Sequence, residues 1–130
     1  MNKLMHGVVS LRPFVPAKDF GTSKCFYLDL GFSVLHEDAH VAGLGLGPHE
    51  FLLQNFYVKE FADNFMMHLM VDDADAWWAH IQALDLPQKY DVSNPNPPKE
   101  GPGNLKVFHL VDPSGVLWHV TQLLSPAGKP

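Results

Sequence analysis

The chain has 130 residues, 46% hydrophobic and 18% charged, the make-up of one soluble globular domain with a core of its own. A formal net charge of -5 with nine scattered Lys and Arg residues argues against a nucleic-acid partner, since phosphate binding needs clustered cations, and makes a cationic or neutral ligand easier to accommodate. No apolar run approaches the roughly 18 to 20 residues of a bilayer span, and the opening "MNKLMHGVVSLRPF" lacks the apolar core of a secretion signal, so the expected setting is cytoplasmic, with no membrane partner.

In chain order, "VVSLRPFV" (8–15) is rich in β-formers, with Pro13 bending it or placing it at an edge. A helix is predicted from Asp19 to Leu30, stopped by Gly31. It contains Cys25, the single cysteine, which excludes an intrachain disulfide and a Cys-based zinc framework and is read as a packing residue. Three short strands follow in "FSVLHED", "HVAGLGLG" and "EFLLQNF". After the connection "YVKEFADN", the pattern starts again: "FMMHLMV" as a strand, "DDADAWWAHIQALD" as a helix, and "QKYDV" as a weaker strand. A loop over 93–104 holds four prolines and two glycines, which forbid a helix or a central strand, and "KVFHLV" and "VLWHVTQ" close the chain as a pair of strands. The order β-α-β-β-β therefore occurs twice, over about 5–57 and 64–124, within one domain spanning 1–130. The expected fold is α+β: two βαβββ modules forming a concave eight-stranded mixed sheet with helices outside.

"CFYLDLGF", "HLMVDDADAWWAHI" and "DPSGVLWHV", in that order, resemble the glyoxalase/bleomycin-resistance/dioxygenase superfamily, also called the vicinal-oxygen-chelate fold. In its enzymes the resemblance implies a divalent metal in the cup, acting as a Lewis acid on vicinal substrate oxygens and held by His or Glu from several strands. The ligand position of the first strand falls on Leu11, which cannot coordinate. That of the fourth strand falls near Leu52, with Glu50 and Gln54 on the same face two residues away. The position opening the fifth strand falls on Met66, a poor ligand for a hard ion, and the eighth-strand position falls on His119. One clear donor of four remains, so the resemblance points to the bleomycin-resistance side of the superfamily, whose members bind and sequester a ligand without metal, often as dimers with shared pockets.

The expected function is accordingly metal-free binding of a small molecule by a homodimer, with no cofactor. Met66, His68 and Met70 share one strand face, where two thioethers beside an imidazole would line an adaptable apolar site with one polar anchor. With His119, Glu50 and Gln54 they make up the expected ligand-binding set. Core filling by Met and a structural role for either histidine are the plain alternatives. An enzymatic alternative, a metal-dependent lyase, isomerase or dioxygenase, would place a divalent metal on His68, His119 and Glu50. A third is a non-catalytic interaction protein whose cup is filled by its own side chains. Trp77 and Trp78 resemble a ligand platform, yet Ala74, Trp78, Ile81 and Leu84 or Asp85 fall at the spacing that docks a helix on a sheet. Asp72, Asp73 and Asp75 sit where a helix starts and would cap it. Gly43, Gly45 and Gly47 precede no helix, so they read as a bare strand face open to close approach rather than a phosphate loop. Asp112-Pro113-Ser114-Gly115 is a turn. The 93–104 loop could be a flap over the cup, a subunit contact or an inert connection.

Overall fold

The computed structural model describes residues 7–124; Met5 and His6, at the start of the expected first module, lie outside the described residues. The first module consists of β1 (Phe14–Pro16), α1 (Phe20–Leu30), β2 (Ser33–Glu37), β3 (Val41–Leu46) and β4 (His49–Gln54). A short helix α2 (Lys59–Asp63) leads to β5 (Met66–Val71), α3 (Ala74–Leu84), α4 (Leu86–Tyr90), β6 (Lys99–Gly101), β7 (Leu105–Val111) and β8 (Leu117–Leu123). The architecture is α+β, with βαβββ occurring twice. Its eight strands are hydrogen-bonded as two mixed four-stranded sheets, ordered β1-β4-β3-β2 and β5-β8-β7-β6, each with one parallel pair.

Local chemistry accounts for the helix ends. The Asp19 carboxylate accepts from the Thr22 N–H to cap α1, and Gly31 ends it at φ 123°, a conformation other residues avoid. Asp73 caps α3 through the Ala76 N–H. Of the other two expected caps, Asp75 lies in the first turn and pairs with Lys106, and Asp72 precedes the helix in a bend. Ala74 and Ile81 of α3 are buried, with Trp77, Trp78 and Leu84 packed partly against the core, as the docking stripe requires. The buried side of α1 is Ser23, Phe26, Tyr27 and Leu30. Cys25 lies off that stripe and is exposed, so its expected packing role is not what the helix phase produces.

Three expectations fail for identifiable reasons. The first strand, expected over 8–15, is ordered as a strand only at Phe14–Pro16, because among the described residues nothing covers Val8, Val9 and Leu11, which are 70%, 98% and 95% exposed. "QKYDV" is not a strand. Asp85 turns left-handed (φ 54°), Pro87 fits the first turn of a helix, and buried Leu86 anchors α4 in place of a strand. The ladder position left free is taken by β6, inside the stretch read as loop, where Lys99 and Gly101 pair with Val107 and Leu105 at the sheet edge that proline-flanked segments tolerate.

One core runs through both modules. Tyr27 and Phe32, Phe51 of β4 and Trp118 of β8 pack with ring centroids 5.0–5.9 Å apart. Beside them lies a buried polar latch. The Tyr27 hydroxyl donates to Asp112 and accepts from Trp118 Nε1 at 3.0 Å, while the other Asp112 oxygen accepts from the Ser114 and Val116 N–H groups at 2.8 and 2.9 Å. Ser114 Oγ in turn accepts from the Lys18 N–H at 2.8 Å and lies 3.1 Å from Ser23 Oγ. The Asp-Pro-Ser-Gly turn thus fastens the second module to α1, a role beyond that of a simple reversal.

Candidate functional site

Alternation along β5, β7 and β8 sorts their side chains onto two faces. Met67, Leu69, Phe108, Leu110, Trp118 and Val120 turn into the core. The opposite face is partly open, with Met66, His68 and Met70 exposed, most of β7 and β8 half-buried and Thr121 buried, and directly paired residues line up across it. Met66, Leu117 and Val111 form one row, and His68, His119 and His109 the next. Met70, Thr121 and Val107 form a third row, which Lys99 of β6 extends. A line of three imidazoles therefore crosses three strands between an apolar row and a mixed one. The His109 and His119 rings meet edge to face at 4.7 Å, and His119 Nε2 lies 3.4 Å from the Met66 sulfur. Partial burial and the neighbouring His109 and His68 hold the His119 pKa below the usual imidazole value. Met66 and Met70 are 63% and 50% exposed, so they are not core filling in this chain.

A cavity of about 370 Å³ opens at the seam between the sheets, within the range of small-molecule sites. It is bordered by His49, Glu50 and Phe51 at the start of β4 and by His68 and Met70 of β5. The seam exists because β1 pairs only with the far end of β4, from Leu52 to Gln54. His68 and Met70 thus belong to both the open face and the cavity.

The six expected site residues separate accordingly. Met66, His68, Met70 and His119 are brought together on the second sheet, and Glu50 faces His68 and Met70 across the cavity. Gln54 stands apart at the other end of β4, between Val41 and Pro16, and does not border the cavity. Glu50 is already engaged: His36 Nε2 lies 2.7 Å and Arg12 Nη1 2.9 Å from the same carboxylate oxygen, and these hydrogen bonds hold its pKa below the ordinary glutamate value. A bulge at Leu35 brings Leu35 and His36 over Gly45 and Gly43. A Cβ on Gly43 would lie 2.2 Å from His36 Nε2 and 2.6 Å from Glu50 Oε2, so the bare strand face is what admits this cluster.

Sequence reasoning passed over His36, Arg12 and His109. Strand parity placed His109 on one of two faces and could not choose between them. The bulge that aims His36 leaves no mark in the pattern.

The donor set does not suit a hard divalent cation. Among the described residues no three His, Cys, Asp or Glu side chains converge in a way that could hold a metal ion. Leu11 lies outside the strand, Met66 stands beside His119, and Glu50 is occupied by Arg12 and His36.

No sequence-family profile matches the chain, and no curated protein does. Solved structures do. A bleomycin-binding protein complexed with bleomycin superposes with a TM-score of 0.74 at 22% identity, over 88% of this chain and 98% of the other. The bleomycin-binding protein of bleomycin-producing Streptomyces verticillus, complexed with copper(II)-bleomycin, gives 0.73 at 26% identity, over 88% and 96%. A lactoylglutathione lyase from Agrobacterium tumefaciens gives 0.66 at 15% identity, over 88% and 94%. Two βαβββ modules, their sheet order and these superpositions together establish that the chain has the vicinal-oxygen-chelate fold of the bleomycin-binding and glyoxalase-type proteins.

Proposed function

We propose that this chain is a small-molecule binding protein that holds its ligand, without a metal, on the open face of the second sheet and in the adjoining seam cavity. The observation that carries the reading is the arrangement of His68, His119, Met66 and Met70: an adaptable apolar surface with convergent polar anchors and no metal-ligand geometry. Two solved neighbours of the same fold are bleomycin-binding proteins complexed with bleomycin or copper(II)-bleomycin, which supports a binding role. Among the described residues no helix is long and apolar enough to cross a membrane, in keeping with a cytoplasmic protein. The core that the two modules share supports reading them as a single domain. Exposed Val8, Val9, Leu11 and Phe14, together with the uncovered sheet face, favour a homodimer in which a second copy encloses the site.

A thermal-shift screen of diverse small molecules tests the reading. A ligand at 100 times its Kd stabilises the native state by roughly 2.7 kcal/mol, and Met70→Ala or His68→Ala should abolish the shift. Stoichiometric Fe, Mn, Ni or Zn in tag-free protein, lost in His119→Ala, would overturn the metal-free reading in favour of catalysis. Light scattering showing a monomer at micromolar concentration would remove the dimer.

A further inference from the structure

The open face of the second sheet has a charge character opposite to that of the whole chain. Its strand positions contain three imidazoles and Lys99 and no carboxylate, although the protein carries a net charge of -5. Glu100 and Lys106 alternate to the other face, where Lys106 pairs with Asp75 of α3. Asp72 lies past the end of β5, in the bend before α3. Glu50, across the seam, is balanced by Arg12. From the segment before β6, Asn96 reaches only the His109 backbone N–H, at 3.4 Å. Lys99 pairs with Val107, which places it diagonally from His109, at the roughly 7–8 Å that a long side chain spans.

We propose that this face takes an organic carboxylate with an apolar body, the body lying on Met66, Leu117 and Met70 and the carboxylate turned towards His109, His119 and Lys99. This rests on the binding reading above and adds the ligand's class. Each neutral imidazole still donates one N–H, and Lys99 supplies the formal charge, so no protonation event is required. A low pKa suits His119 to act as such a neutral donor. Thioethers and branched aliphatics accept either an aromatic or an aliphatic body.

The test uses the full chain and calorimetric titration with naphthalene-2-carboxylate, its neutral carboxamide, 2-naphthylmethylammonium and octanoate. The aromatic carboxylate should bind about tenfold or more tightly than amide and ammonium, as a charge-assisted hydrogen bond implies. Lys99→Gln and His109→Gln should each weaken the carboxylate by about tenfold and leave the amide unchanged. Octanoate binding with the same variant sensitivity would extend the class to aliphatic acids, and its failure would restrict it to aromatic ones. Equal affinity for acid and amide, or preference for the ammonium, overturns the anionic assignment while leaving small-molecule binding intact. If none of the probes binds, the assignment falls, and the screen described above decides separately whether the face binds any small molecule.

Discussion

Removing one oxygen from Tyr27 isolates the polar latch from its aromatic surroundings. In Tyr27→Phe the ring keeps its packing against Phe26, Phe32 and Phe51, but Asp112 loses a donor and Trp118 Nε1–H loses its acceptor. Tyr27 is fully buried and Asp112 is 1% exposed, so water does not readily replace either partner. A hydrogen bond to a charged group contributes about 1.5–3 kcal/mol, and an unpaired buried N–H costs about 1–3 kcal/mol. Allowing for relaxation of the indole, the expected loss is about 3 kcal/mol, or about 12 °C in Tm for a chain of this length. Urea unfolding monitored by tryptophan fluorescence gives the free energy, and an unchanged slope against denaturant shows that the folded and unfolded states themselves are not altered. The pH dependence supplies a second readout. Burial raises the folded-state pKa of Asp112 above its unfolded value, so its contribution to stability is greatest below the unfolded pKa and is lost as pH rises through the folded one. Because Tyr27 supports the ionised carboxylate, the penalty of Tyr27→Phe should shrink as pH falls and Asp112 becomes protonated. A loss below about 1 kcal/mol at neutral pH, or one independent of pH, would refute the latch as a source of stability.

His119 offers the opposite sign. Its folded-state pKa is depressed, so the unfolded chain takes up the proton first; the stability this contributes is present above the unfolded imidazole value and is lost as pH falls through the folded one. His119→Gln should flatten the stability profile on the acid side of the unfolded imidazole value of about 6.5, where a single proton accounts for a slope of at most about 1.4 kcal/mol per pH unit. For Gly43→Ala, the new methyl group would displace His36 from Glu50 and should raise the Glu50 pKa towards the ordinary glutamate value, measurable by carbon NMR of the carboxyl; an unchanged titration would show that the glycine is not what admits the cluster. Tyr90→Phe removes a hydrogen bond to Asp29 near the surface, and urea unfolding should show a cost of only about 1 kcal/mol. A cost as large as that of Tyr27→Phe would mean that burial is not what distinguishes the two tyrosines.

The sequence by itself determined the duplicated βαβββ order, the two long helices with the acidic cap of the second, and the grouping of Met66, His68 and Met70 on one strand face, because period and capping are local properties of the chain. It also carried the family likeness, through motifs at three separated places. Tertiary structure alone decided the rest. Whether His109 shares a face with His119 depends on the β7–β8 register, and whether Glu50 is free depends on a bulge in β2 and on Arg12, which is 38 residues away. "QKYDV" has only Tyr90 and Val92 as strand formers, and Leu86 burial and the left-handed Asp85 make its first residues a helix, so packing decided a segment whose own propensity was weak. Likewise "VVSLR" has the residues of a strand, but among the described residues no neighbouring strand pairs with it, and a strand exists only where another backbone lies beside it.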